Sequence, residues 1–323
     1  MRRITTVIST VLATGAFATG CVDSRAPTAP TQAAVGVSPG RDAGSPTFTS
    51  LEVPGASFTF PLDINESGVI VGRYAAAGRT HGFVRDAEGV YTTLDFPGSS
   101  FTVAASVNDS GAIAGWYVLP AAPAIRHGFK LQNGAFTTID PPGSTFTNVL
   151  GINERGDVVG RYCTLSVCLA PGSGSFHAFI YSDGEFTTID VPGAHDSDAF
   201  KIEASGIVVG GFAPVAGPEQ LFVFSRDAFT GYSLPNGKSI TLDNGGVNSH
   251  GDIVGSYCDA GSPCLLGPTG THGFMLTSHG EFKSIDYPDA VATSATGINA
   301  RGDAVGGWVD ASARTRGYLL TSQ

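Results

Sequence analysis

The chain has 323 residues and a net charge of −10 at pH 7, and it contains 44 glycines but only 14% charged residues. A composition rich in glycine and poor in charge is typical of a fold with many short strands and tight turns. No basic cluster is present, so nucleic acid is excluded as an expected partner.

The N-terminus has the pattern of an export signal. Arg2 and Arg3 precede an apolar run over residues 4–17, which is too short to span a bilayer. The next residues, Ala18-Thr-Gly-Cys21, resemble the lipobox of bacterial lipoproteins, with Ala18 where leucine is usual. The resemblance implies cleavage before Cys21 and lipid on its sulfur. The alternative is ordinary cleavage nearby, which leaves Cys21 unmodified and the protein secreted.

The rest of the chain divides into two parts. Residues 22–46 are dominated by Pro, Ala, Thr, Ser and Gly without periodicity, which predicts a flexible tether after a signal peptide at 1–21. Residues 47–323 consist of repeats and are expected to form one domain. We expect this domain to lie in the bacterial envelope, periplasmic or surface-exposed, and to touch the membrane only through the lipid on Cys21.

The repeat unit is clearest in residues 146–190, where four short runs rich in β-branched and aromatic residues follow one another. Asn153-Glu-Arg-Gly156 separates the first two runs as a tight turn. Asp183-Gly184 separates the last two and is a strong two-residue hairpin signal. The pattern predicts a four-stranded meander of roughly 45 residues, which is the size of a propeller blade.

Six such units follow one another. Their first turns begin at Asn65, Asn108, Asn153, Glu203, Asn248 and Asn299. Calcium loops place several oxygen ligands at alternating positions, and one Asn with one acid per turn falls short of that. These segments are therefore predicted to be hairpin turns rather than calcium sites.

The ends of the domain indicate how it closes. The chain stops just after the third strand of the sixth unit, whereas Phe48-Thr-Ser-Leu-Glu-Val-Pro-Gly55 repeats the fourth-strand sequence Phe186–Gly193 almost letter for letter. We predict an all-β, six-bladed propeller of four-stranded antiparallel blades, in which an N-terminal strand at 47–53 completes the last blade and removes an exposed edge. An open solenoid and a differently closed barrel are the alternatives.

The repeat also resembles a known family. The motif Gly-Ile-Asn-x-x-Gly, then His-Gly-Phe or His-Ala-Phe, then Phe-Thr-Thr-Ile-Asp-x-Pro-Gly is similar to the HAF-repeat group of bacterial extracellular proteins. The similarity covers residues 47–323 and implies an exported β-rich protein, but it supplies no catalytic residue or substrate. Unit four departs from the motif at Glu203 and Gln220.

The histidines that begin the third strands are predicted to face acids on the fourth strands. The pairs are His81 with Asp95, His127 with Asp140, His177 with Asp190 and His272 with Asp286, and Arg316 with Glu52 in unit six. A pair repeated in nearly every unit indicates a structural cross-strand contact, because an active site normally occurs once. The alternative is a His–Asp dyad that serves as a catalytic base.

The cysteines after Cys21 form two local pairs, Cys163 with Cys168 and Cys258 with Cys264, each directly after a second strand. In an oxidising compartment we expect two small-loop disulfides. Zinc is the competing interpretation, but neither pair has a second Cys or His pair close by in the sequence. We predict no metal and no cofactor.

The variation among the units is concentrated on one side. The loops between second and third strands and the Pro-Gly loops share one rim, where residues 194–198 carry the unique polar insertion with His195, Asp196 and Asp198. Function usually lies in variable loops on a rigid scaffold. We expect a monomeric binding or adhesion module for a glycan, a protein or an envelope component, with these three residues as candidate ligand contacts and no catalytic residues. The alternative is an enzyme, a lyase or hydrolase acting on an extracellular polysaccharide, although no nucleophile elbow, metal cluster or phosphate loop is present in the sequence.

Overall fold

The computed structural model describes residues 31–33, 46–165, 168, 176–234, 238–258 and 270–321. Every regular element in these ranges is a β-strand, and no helix occurs in them that could span a membrane. The strands are β1 Thr31–Ala33, β2 Thr47–Leu51, β3 Phe58–Ile64, β4 Ile70–Ala76, β5 Arg79–Arg85, β6 Tyr91–Leu94, β7 Phe101–Val107, β8 Ile113–Val118, β9 His127–Gln132, β10 Ala135–Ile139, β11 Phe146–Ile152, β12 Val158–Cys163, β13 His177–Ser182, β14 Glu185–Thr188, β15 Ala194–Ile202, β16 Val208–Pro214, β17 Gln220–Ser225, β18 Ala228–Tyr232, β19 Ser239–Val247, β20 Ile253–Cys258, β21 Thr271–Leu276, β22 Phe282–Ile285, β23 Ala292–Ile298, β24 Ala304–Val309 and β25 Thr315–Thr321.

Each repeat unit folds as an antiparallel meander whose strands pair in chain order. In unit three, β11 pairs with β12, β12 with β13, and β13 with β14. Four of the five hydrogen-bonded sheets hold one meander each, and two of these also include a strand from the N-terminal part of the chain, β1 or β2. The fifth sheet has eight strands, because units one and two are joined by a single parallel pair, Thr80 with Phe101.

The first strand of each unit lies innermost. We call β3, β7, β11, β15, β19 and β23 the inner strands; each contacts the next in chain order, and β23 contacts β3. Meanders arranged around their first strands in this way form a propeller. The prediction of an all-β propeller is confirmed at this level.

Two strands come from the N-terminal part of the chain. β2 pairs antiparallel with β25, and Phe48 lies opposite Leu320. β1 pairs in parallel with β18, the outer strand of unit four. Thr31–Ala33 lies within the predicted tether 22–46, and an outer strand offers unpaired backbone groups that even such a short segment can satisfy. The tether itself stays a prediction. The predicted signal peptide and Cys21 lie outside the described residues.

One large aromatic side chain is completely buried on the third strand of every unit: Phe83, Phe129, Phe179, Phe222, Phe274 and Tyr318. Four of these rings pack against a second-strand glycine, those of Phe83, Phe129, Phe222 and Phe274; a Cβ at Gly210 would lie 2.4 Å from the Phe222 ring, and one at Gly115 2.9 Å from the Phe129 ring. The Val-Gly sequence that repeats in the second strands is thus a packing requirement, since a protein interior leaves no room for an added methyl group.

The turns that follow the inner strands are connected to one another by side chains. Asn65 Oδ1 accepts the Val69 backbone N–H at 2.9 Å and so closes its own turn, and Asn65 Nδ2 donates to Asn108 O at 3.1 Å in the next turn. The same link runs from Asn108 to Asn153 O, from Asn153 to Glu203 O, from Asn248 to Asn299 O and from Asn299 to Asn65 O. Glu203 carries a carboxylate and therefore has no side-chain N–H to donate to Asn248 O.

Candidate functional site

The predicted histidine–acid pairs lie within hydrogen-bonding distance. The distances from histidine Nδ1 to the carboxylate are 2.8 Å for His81–Asp95, 2.6 Å for His127–Asp140, 2.6 Å for His177–Asp190 and 2.8 Å for His272–Asp286. Arg316 Nη1 lies 2.7 Å from Glu52 Oε1, which connects β25 to the segment after β2.

These pairs also hold the end of the fourth strand against the third. Asp140 Oδ1 accepts the backbone N–H of Gly128 at 3.0 Å in addition to its histidine bond. The ring of His127 stacks on Tyr117 with 5.2 Å between the ring centroids. The histidine–acid contacts are therefore repeated, partly exposed cross-strand pairs, and their structural role stays a prediction.

The three residues of the polar insertion do not form a common surface site. His195 is exposed, whereas Asp196 and Asp198 are 1% and 0% exposed. Asp196 Oδ1 accepts the Phe176 backbone N–H at 2.9 Å, and Asp198 Oδ2 pairs with Arg161 Nη1 at 2.8 Å. A bulge between Ala194 and Asp196 shifts the register of β15, and the two carboxylates lie in the interior.

The arginine partner of Asp198 belongs to a larger arrangement on the same side of the molecule. We call the stack Phe101, Trp116, Arg126, Phe146, Arg161 and Phe176 the arginine–aromatic ladder. Phe101 stacks on Trp116 at 5.0 Å, and the Arg126 guanidinium lies 4.4 Å from the Trp116 ring and 4.5 Å from the Phe146 ring. The Arg161 guanidinium lies 5.0 Å from the Phe176 ring.

The ladder lies at the beginning of the inner strands β7 and β11, next to the loops that vary among the units. Phe101, Arg126 and Phe146 are partly exposed, whereas Trp116 and Arg161 are buried. Guanidinium groups held between aromatic faces keep a fixed orientation, and planar rings with an adjacent donor fork suit ligands that have one apolar face and several oxygen atoms.

A second polar group closes the space between the inner strands near their other end. Lys201 Nζ pairs with Asp63 Oδ2 and lies 2.9 Å from Ser106 Oγ. Ser106 Oγ and the Val107 backbone N–H donate to the same carboxylate oxygen at 2.6 and 3.0 Å. Lys201, Asp63 and Ser106, which we call the axial cluster, therefore join units one, two and four.

The chemistry of the axial cluster is that of a structural ion pair. Asp63 and Ser106 are 3% and 0% exposed, and Lys201 Nζ contacts the Asp63 carboxylate. Because Ser106 donates its proton to Asp63 and is closed to solvent, the Ser–Lys contact does not form an accessible nucleophile.

Glu203 lies two residues beyond Lys201, at the turn position that carries asparagine in the other units. Burial raises the pKa of Glu203; Lys201 opposes this shift, and the carboxylates of Asp63 and Glu66 reinforce it. An acid at this position is therefore unfavourable when ionised.

Of the predicted disulfides, Cys163–Cys168 is present. Cys264 lies outside the described residues, so the pairing of Cys258 with Cys264 stays a prediction. Within the described ranges, no group of three or more His, Cys, Asp or Glu side chains is arranged to hold a metal ion.

Reasoning from the sequence missed both the ladder and the axial cluster. A signal for the cluster exists in the aligned units: two residues before each turn stand Asp63, Ser106, Gly151, Lys201, Gly246 and Gly297, so one acid and one base occur among small residues. The ladder has a weaker signal, because Arg126 lies in a loop whose length differs among the units.

No protein-family model matches the chain, and no curated protein matches it. Among solved structures, SapL1 lectin in complex with α-methyl fucoside has a TM-score of 0.54 at 9% identity, covering 83% of this chain and 95% of that one. Aleuria aurantia lectin with a fucosyl disaccharide scores 0.49 at 13% identity, over 84% of this chain and 93% of that one. Virginiamycin B lyase from Staphylococcus aureus has a TM-score of 0.48 at 13% identity, and the match covers 86% of this chain and 99% of that one. At 9% identity, the similarity to SapL1 lectin concerns the fold alone.

Proposed function

We propose that the protein is a glycan-binding module whose site is the arginine–aromatic ladder. The observation that carries this proposal is the partly exposed Arg126, whose guanidinium is held between the rings of Trp116 and Phe146. Phe146 is also partly exposed, and so is Phe101, which stacks on Trp116. A sugar ring presents an apolar face of C–H groups and a rim of hydroxyl oxygens. The phenyl faces suit the first, and the guanidinium fork suits the second.

The position of the ladder supports the same function. Ligand sites favour concave places on rigid scaffolds, bordered by loops that differ among repeats. The buried third-strand aromatic residues and the axial cluster both hold the inner strands in place. The ladder therefore needs little reorganisation when it binds a ligand. Low reorganisation lowers the entropic cost of binding. The lectin of similar fold that binds α-methyl fucoside makes fucosides a reasonable first probe.

We further propose that the scaffold is a six-bladed ring closed by the N-terminal strand. Three observations support it: the inner strands contact one another in a cycle, β2 pairs with β25, and Asn299 donates to the turn of unit one. The eight-stranded sheet is compatible with two separate blades, since one parallel residue pair joins its halves.

The proposal includes export and anchoring, and membership of the HAF-repeat group. Its support is the Arg-led apolar segment before Cys21 and the repeat motif itself. Mass spectrometry of the mature N-terminus should find a lipid-modified Cys21 as the first residue. An unmodified Cys21 inside the mature chain would exclude the anchor.

The binding proposal is tested with the mature protein on a panel of immobilised glycans, followed by titration calorimetry with α-methyl fucoside and with each glycan that binds. Arg126→Gln removes the donor fork and should weaken binding at least tenfold. Arg314→Gln, an exposed arginine of unit six, is the matched control and should bind like the parent.

Thermal unfolding of both variants shows that they are folded. Absence of any glycan ligand, or equal affinity of the two variants, would refute the ladder as the site. Analysis of each bound glycan for newly formed ends separates binding from cleavage.

A further inference from the structure

A cavity of about 460 Å³ lies on the outer side of unit one, and none of the residues that line it belongs to the ladder. We call it the unit-one pocket; the residues that line it include Tyr74, Phe83, Tyr91 and Val53. The hydroxyl-bearing residues Thr92 and Thr93 line the pocket beside these rings. The volume lies in the range of roughly 300–1,000 Å³ that is usual for small-molecule sites.

The internal repeat shows what shape this pocket has. Glu52-Val-Pro-Gly55 in the loop before unit one corresponds to Asp95-Phe-Pro-Gly98 before unit two. The backbone is held in the same way at both places: the Val53 N–H donates to Thr59 Oγ1 at 3.0 Å, and the Phe96 N–H to Thr102 Oγ1 at 3.1 Å. Val53 thus occupies the position that Phe96 occupies in unit two.

In unit two the corresponding space is filled by the protein itself. The Phe96 ring stacks on Tyr117 with 3.6 Å between centroids and 4° between planes. It also contacts Phe136 edge-on at 5.0 Å. Unit six repeats the arrangement with different residues, since Tyr287 stacks on Trp308 at 4.1 Å and 6°.

The walls of the unit-one pocket have the geometry of the filled site. Tyr74 stacks on His81 at 5.2 Å, as Tyr117 stacks on His127 at 5.2 Å. The Tyr74 hydroxyl bonds to Thr93 Oγ1 at 2.7 Å, as that of Tyr117 bonds to Thr138 Oγ1 at 3.1 Å. A second pair of rings is also arranged alike in the two units. The centroids of Phe83 and Tyr91 are 5.6 Å apart with 63° between the ring planes, and those of Phe129 and Phe136 are 5.3 Å apart with 67° between the planes.

We propose that the unit-one pocket is a binding site for a single six-membered aromatic ring of the phenol class. The ring stacks on Tyr74 where a phenyl side chain stacks in unit two, and its hydroxyl group reaches the threonines that line the pocket. Residues 22–45, which precede β2 in the sequence, cannot supply this ring, because they contain no aromatic residue. The ligand therefore comes from solution.

The repeat provides two opposite variants for the test. Val53→Phe places in unit one the ring that unit two already has, and Phe96→Val opens in unit two the space that unit one already has. Binding of p-cresol to the mature protein is followed by ligand-observed NMR and calorimetry. We expect one site in the parent, at least tenfold weaker binding in Val53→Phe, and two sites in Phe96→Val.

Two further binding measurements distinguish the unit-one pocket from the arginine–aromatic ladder and from a sugar-binding site. Arg126→Gln should bind p-cresol like the parent, so failure of the glycan proposal leaves this result unaffected. Methyl fucoside and methyl glucoside should not displace p-cresol. Undetectable p-cresol binding, equal binding by Val53→Phe and the parent, or displacement by the glycosides would overturn the proposal. If Phe96→Val does not fold, the comparison of Val53→Phe with the parent still decides it.

Discussion

Replacing Glu203 by asparagine should stabilise the protein, because it restores the one missing link between consecutive turns. The backbone already has the required shape: Glu203 N donates to Ile207 O at 2.8 Å and Gly206 N to Glu203 O at 2.9 Å, as in the asparagine turns. An asparagine there presents its Nδ2 to Asn248 O. A new hydrogen bond contributes about 0.5–1.5 kcal/mol, which raises Tm by roughly 1–6 °C at about 2–4 °C per kcal/mol for a large domain.

The pH dependence gives the prediction a second, independent readout. The pKa of Glu203 is higher in the folded state than in the unfolded state. The contribution of this residue to stability is therefore complete when the pH is below the pKa of the unfolded state, and it is lost as the pH rises through the pKa of the folded state. Glu203→Asn removes this loss. The gain in Tm over the parent should therefore be larger at pH 7 than at pH 4.5.

Glu203→Gln is the matched control, since it removes the charge but places its amide one methylene further from the backbone. It should show the pH-dependent part of the gain without the hydrogen-bond part. Thermal unfolding of the three proteins at both pH values measures these differences. If Glu203→Asn is no more stable than Glu203→Gln at pH 7, the linked-turn explanation is wrong.

Three further predictions follow from the same structure. Lys201→Met leaves buried Asp63 unpaired and should cost about 3–5 kcal/mol in chemical denaturation, whereas Lys283→Met, at a half-exposed surface pair, should cost less than about 1 kcal/mol; equal costs would contradict a buried pair. Removal of residues 47–55 should lower Tm far more than removal of 22–46, since β2 pairs with β25 along its length whereas β1 adds three residue pairs to β18; similar melting of both truncations would refute closure by β2. Thiol counting on the denatured exported protein should find Cys163, Cys168, Cys258 and Cys264 oxidised, and free thiols at these positions would contradict the two-disulfide prediction.

The fold class was predictable because the evidence for it is local and repeated. Asn-x-x-Gly turns, Asp-Gly hairpins and alternating strands each specify a short segment, and the same segment recurs along residues 47–323. Strand ends were less certain: the N-terminal strand stops at Leu51 rather than at 53, because the chain turns toward the Pro-Gly loop at Glu52. The cross-strand positions of histidines and acids follow from the hairpin register, which short loops determine.

The polar insertion shows where such reasoning stops. His195, Asp196 and Asp198 are conspicuous in the sequence as the unique polar run, but whether a polar residue faces solvent depends on the bulge in β15 and on Arg161 in the neighbouring unit. The tether shows the same limit, since nothing in Thr31–Ala33 indicates a partner at β18. A contact between residues far apart in sequence leaves no periodic trace in either segment.

The sequence by itself determined the repeat, the strand order within each unit and the all-β class, since short-range turn chemistry and side-chain alternation encode them. Only the tertiary structure decided which side chains from different units meet: Lys201 with Asp63, Arg126 between Trp116 and Phe146, and the space left beside Val53. These contacts depend on how complete units pack against one another. In that packing, the size of one residue fixes the space left for a residue of the next unit.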